Sequence, residues 1–138
     1  MIDKLRITRD RRGMLAAFLQ VGLGGAIGSV LRFGMGLAVV RATGTAFPLA
    51  ILPVNIIGSF LMGFLFVLLE QRGMTHFGPF LLTGVLGGFT TFSAFSLETF
   101  TLYERGDLFL AIIYVLASVV LSVLGLALGV WVAREGLA

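Results

Sequence analysis

Long apolar stretches alternate with short polar breaks along this chain. The stretches run from about Met14 to Val40, Pro48 to Leu69, Phe77 to Phe100 and Leu108 to Val132. Between them stand Arg41-Ala42-Thr43-Gly44, Glu70-Gln71-Arg72-Gly73 and Glu104-Arg105-Gly106-Asp107. About 20 apolar residues wound as a helix cross the roughly 30 Å of hydrocarbon in a bilayer, and a helix pairs its own backbone groups where no water can. The pattern therefore predicts an all-α integral membrane protein with four transmembrane helices. Each break is short, so neighbouring helices must be antiparallel and both termini lie on one side. Residues 1–13 form a basic flanking tail, and 14–138 a single four-helix unit.

Composition agrees. The chain is 58% hydrophobic and 12% charged, with a mean hydropathy of +1.05; a soluble domain carries about twice that charge. The absence of cysteine excludes disulfides, thiolate metal sites and a cysteine nucleophile. A pI near 10.2 invites a nucleic-acid reading, yet half of the basic residues (Lys4, Arg6, Arg9, Arg11 and Arg12) crowd the tail and the others are scattered. That is a cytoplasmic membrane flank, and no nucleic-acid partner is expected. The run from Met14 is too long for the hydrophobic region of a signal peptide. Arg72 and Arg134 share the side of the tail, and Arg41 and Arg105 stand opposite. The tail favours termini in the cytoplasm; without it the body is balanced and could insert either way up.

Polar groups inside the spans narrow the chemistry. Arg32 lies about two-thirds along the first, where it lines an anion-attracting vestibule, contacts a helix C-terminus or snorkels to the interface. Mid-depth carboxylates are missing, and Glu98, near the end of the third span, is expected at the interface. Asn55 in the second must find partners across a helix contact or offer its amide donors to a ligand. The third span reads Gly87-Gly88-Phe89-Thr90-Thr91-Phe92-Ser93-Ala94-Phe95, which invites either a helix break with freed carbonyls or a kink re-bonded by threonine hydroxyls. Phe92 and Phe95 share a helix face after it; aromatic edges carry partial positive charge, although packing is their usual work. Tyr114, Ser118 and Ser122 form one hydroxyl stripe on the fourth span. The GxxxG pairs Gly24/Gly28, Gly84/Gly88 and Gly125/Gly129 permit close helix approach within or between subunits. An enzyme is not expected, because His76 is loop-like and no nucleophile–base–acid set assembles at membrane depth.

Read together, Gly24 to Phe33 (GGAIGSVLRF), Val54 to Phe60 (VNIIGSF) and Gly87 to Phe95 (GGFTTFSAF) closely resemble the Fluc, or CrcB-type, fluoride channel family. The resemblance covers essentially everything past the tail. It implies an antiparallel, dual-topology homodimer in the cell (plasma or inner) membrane, surrounded by lipid, passing fluoride passively down its gradient and so relieving fluoride toxicity. By position it implies fluoride contacts at Asn55, Phe92, Phe95, Tyr114, Ser118 and Ser122, with Thr91 and Ser93 as supporting polar groups and Arg32 at the vestibule. It further implies a structural Na⁺ at the two-fold, held by the carbonyls of Gly87 and Thr90 from both subunits. One departure concerns the second helix, where Ala50-Ile51 stand in place of the family's usual Gly-Thr. The alternatives are a small multidrug resistance-type exporter, which needs a carboxylate that the first span lacks, and a membrane packing or assembly protein.

Overall fold

The computed structural model describes residues 11–44 and 50–136. Most of the tail over 1–13 and the expected start of the second span at Pro48 lie outside the described residues. Helix α1 runs over Arg11–Thr43 and α2 over Ile51–Gln71. A 3₁₀ turn at Thr75–Phe77 leads into a π-helical stretch over Pro79–Leu86, followed by α3 at Gly87–Phe89 and α4 at Phe92–Glu104. Helix α5 closes the chain at Leu108–Gly136. Four candidate membrane spans result: Gly13–Thr43, Ile51–Gln71, Thr75–Glu104 and Leu108–Gly136. Two of them outrun the apolar runs at both ends, because residues such as Arg41, Ala42 and Thr101 are compatible with helix even where they are too polar to extend an apolar run.

Backbone chemistry stops the helices. Gly73 and Gly106 adopt φ of +65° and +85°, a conformation that a β-carbon would strain. After each, the next N–H reaches back to a carbonyl left over from the helix: Met74 to Leu69 at 2.9 Å and Asp107 to Leu102 at 3.1 Å. This closure satisfies orphan carbonyls within one turn and reverses the chain. The π stretch was not anticipated. In it bonds reach one residue further back, as from Gly87 N–H to the Leu82 carbonyl.

Glycines set the packing. A β-carbon on Gly24 would strike the Phe80 carbonyl and stand 2.9 Å from Gly84 Cα. On Gly28 it would strike the Val85 carbonyl and stand 2.7 Å from Phe89 N. Likewise Gly125 lies against Ile56, Gly129 against Phe60, and Gly63 against the Leu126 carbonyl. Partner numbers rise together in both sets, so α1 runs parallel to the first half of the third span, and α2 parallel to α5. All three GxxxG pairs are thus occupied within the subunit. Close backbone approach replaces the hydrophobic drive that lipid cannot supply. The outer faces carry exposed Phe18, Leu23, Val30, Phe109, Leu116 and Trp131, a surface suited to hydrocarbon.

Candidate functional site

The third span gives way at the threonines, not the glycines. Gly87 to Phe89 remain helical, and the backbone then extends at Thr90 (φ −77°, ψ 154°) and Thr91 (φ −157°, ψ 130°). Gly88 does not loosen the helix; its Cα lies where a β-carbon would be 3.0 Å from Gly25 Cα of α1, so it is there for contact.

Asn55 holds the break. Its Oδ1 accepts from Thr91 N–H at 3.0 Å and its Nδ2 donates to the Thr91 carbonyl at 3.1 Å. One side chain therefore pairs both backbone groups of the extended residue, which the bilayer would otherwise leave unpaired at a cost of several kcal/mol each. The Thr90 hydroxyl donates to the Leu86 carbonyl at 2.8 Å, and Thr91 Oγ1 caps α4 by accepting from Ala94 N–H at 3.3 Å. Ser93 Oγ joins Thr91 Oγ1 at 3.0 Å. Both sequence readings of this segment hold at once: the helix is broken, and threonine hydroxyls re-bond its ends.

The break also diverts donors. Thr91 N–H, the α-helical partner of the Gly87 carbonyl, is taken by Asn55. Ala94 N–H, the partner of the Thr90 carbonyl, is taken by Thr91 Oγ1. Gly87 and Thr90 thus present carbonyls released from their ordinary bonds, and both residues line a cavity of about 590 Å³.

That cavity gathers most of the expected residues. Asn55, Thr91, Phe92, Phe95, Ser118 and Ser122 line it, and among the described residues no charged side chain does. Ser118 is 5% exposed, and its oxygen, like that of Ser122, is buried without a hydrogen-bond partner. Phe92 and Phe95 touch with ring centroids 5.3 Å apart, but differ in depth: Phe95 is 8% exposed and Phe92 77%. Helical spacing gave the shared face and could not give the depth.

Several residues fall elsewhere. Tyr114 is buried behind the cavity, stacked on Phe95 at 5.5 Å. Its hydroxyl donates to Glu98 Oε2 at 2.5 Å, and the same oxygen accepts from Ile51 N–H at 3.3 Å. Glu98 is half-buried and caps the N-terminus of α2, where a carboxylate meets unpaired N–H groups. Tyr114→Phe is expected to lower the melting free energy of the detergent-solubilised protein by about 1–3 kcal/mol, the range for a buried hydrogen bond to a carboxyl group; thermal unfolding measures it. Arg32 sits on α1, which contributes nothing to the cavity, and Ser93 lies just outside it. Ser59 and Met62 line it and were not singled out. The signal for Ser59 was its place four residues after Asn55, on the same helix face.

A family model described as "CrcB-like protein, Camphor Resistance (CrcB)" matches residues 19–130. Among curated relatives, a protein named "Fluoride-specific ion channel FluC" from Roseobacter denitrificans is 56% identical over 122 residues, covering 87% of this chain and 97% of the relative. Its namesake from Cereibacter sphaeroides is 50% identical over 125 residues, covering 91% and 100%. A third of the same name, from Rhizobium meliloti, is 48% identical over 118 residues, covering 84% and 94%.

Proposed function

Because the chain belongs to the CrcB-like family, we propose that it is a fluoride-specific membrane channel. One observation beyond the family match supports this reading: amide, hydroxyl and aromatic groups converge on an uncharged cavity beside a helix break. Fluoride is small and strongly hydrated. A channel must replace its water with enough donors to admit it, and with none so strong as to trap it. The second amide proton of Asn55, the hydroxyls of Ser118 and Ser122 and the ring edges of Phe92 and Phe95 are donors of that grade. A lysine here would hold the ion.

The subunit is proposed to act as an antiparallel homodimer in the cell membrane, with Arg32 at the vestibule of each path, and to relieve fluoride accumulation by passive efflux. The exposure of Phe92 beside the cavity supports a partner subunit on that face. Na⁺ is a hard cation that takes oxygen ligands. No cluster of three His, Cys, Asp or Glu is present among the described residues, whereas the released carbonyls of Gly87 and Thr90 are oxygens of the right kind. Two from each subunit would hold the ion, which when bound would supply fixed positive charge near the anion path.

The test is efflux from proteoliposomes followed with a fluoride electrode. Fluoride should leave at least about a hundredfold faster than from protein-free vesicles, and chloride should stay. Vesicles that hold their fluoride, or lose chloride equally fast, would overturn the reading. Efflux that runs only against a proton gradient would favour an exporter.

A further inference from the structure

Hydroxyls in a membrane helix ordinarily turn back onto their own backbone. Ser29, Ser96, Thr99 and Thr101 do so here, each donating to the carbonyl four residues earlier at 2.8–2.9 Å. Three serines on the cavity wall do not. Ser118 and Ser122 are buried and unpartnered, and Ser59 makes no hydrogen bond among the described residues. Two of the three belong to the α5 stripe already considered. Ser59 stands on the opposite wall.

Helix register decides what Ser59 faces. Helices α2 and α5 run parallel and meet where Gly63 abuts the Leu126 carbonyl. One turn back from that contact on each helix are Ser59 and Ser122; two turns back are Asn55 and Ser118. Rows 55–59–63 and 118–122–126 therefore form two rails, and the cavity lies between them. Ser59 and Ser122 both line that cavity, each one turn before the Gly63–Leu126 contact on its own helix.

We propose that Ser59 is a fluoride-coordinating residue, acting with Ser122 as a hydroxyl pair at the end of the cavity nearest Gly63. The proposal rests on the channel reading given above. Beyond Asn55 and Ser118 these rails carry no other polar side chain as far as Gly63 and Leu126, so this pair offers the last side-chain donors along them. Both oxygens are free to donate because neither is committed to a carbonyl.

The experiment compares wild type, Ser59→Ala, Ser122→Ala and the double variant, as full-length chains in proteoliposomes. Ser59→Ala should slow fluoride efflux by about tenfold, the fold-change expected from losing one hydrogen bond to an ion. Its melting temperature should be unchanged, because the hydroxyl supports nothing in the fold. Ser59→Thr, which keeps the donor, should restore most of the rate. The double variant should lose less than the product of the single losses, since both groups serve one ion. Wild-type rates in Ser59→Ala would overturn the proposal, as would a slowed rate accompanied by a lowered melting temperature. Strictly multiplicative losses would show that the two serines serve separate ions and would sink the pair. If the wild type itself passes no fluoride, the channel reading fails and takes this proposal with it.

Discussion

Alanine at position 55 is expected to lower fluoride efflux at least about a hundredfold and to destabilise the subunit by about 2–4 kcal/mol. The two effects share one cause. Asn55 satisfies both the N–H and the carbonyl of Thr91, and each group left buried without a partner costs about 1–3 kcal/mol. Nothing local replaces it, because the extended backbone at Thr90 and Thr91 has already left the helical ladder. Either water enters the break or the segment rewinds toward a continuous helix. Rewinding would return Thr91 N–H to the Gly87 carbonyl and re-aim Phe92 and Phe95. Asn55→Asp should be no milder in efflux. It keeps an acceptor for Thr91 N–H but sets a second acceptor against the Thr91 carbonyl. Efflux and thermal unfolding measured on the same preparations decide the matter. An Asn55→Ala protein that melts normally and conducts within tenfold of wild type would show that the break does not depend on this amide.

Gly28→Ala is expected to prevent folding of most of the protein, whereas Gly25→Ala, three residues away on the same helix, should be harmless. At Gly28 the new carbon would occupy the space of the Val85 carbonyl and lie 2.7 Å from Phe89 N. Both are backbone atoms with no rotamer to yield, so α1 must move off the third span. Overpacking that side chains can relieve costs about 1–3 kcal/mol; this collision should cost more, and it also opens the neighbouring Gly24–Gly84 contact. At Gly25 a β-carbon meets nothing within 4 Å, and alanine gains up to about 1 kcal/mol of helix preference over glycine. Gel filtration in mild detergent reads the difference: a sharp peak for Gly25→Ala, aggregate for Gly28→Ala. Equal behaviour of the two would mean that the packing of α1 is wrong.

The contrast between those glycines shows what the sequence could and could not carry. Four spans were legible from apolar runs, since crossing hydrocarbon demands length and apolarity that little else mimics. A disturbance near Gly87–Thr91 was legible too. Which of those residues yields was not, because the break is held by an amide 36 residues earlier in the chain. In the folded subunit Gly88 is pressed against Gly25, and the threonines yield instead. The π winding over Pro79–Leu86 had no local signal at all. Most of the expected site residues did converge, because positions 55, 118 and 122 lie on regular helix faces and periodicity conveys faces well. Depth was beyond it, as Phe92 and Phe95 demonstrate. So was the engagement of Tyr114 with Glu98, which needs two helices and the start of a third to meet.

The distance between Asn55 and Thr91 has a further consequence, for biogenesis. The amide leaves the ribosome 36 residues before the backbone it will pair with, and synthesis at 5–20 residues per second makes that interval roughly 2–7 s. During that wait α2 must hold an unsatisfied amide at the translocon, or beside water and lipid headgroups. Slowing elongation just after α2 should therefore lengthen its exposure to membrane proteases, and a silent change of codons there should alter yield without altering the finished protein.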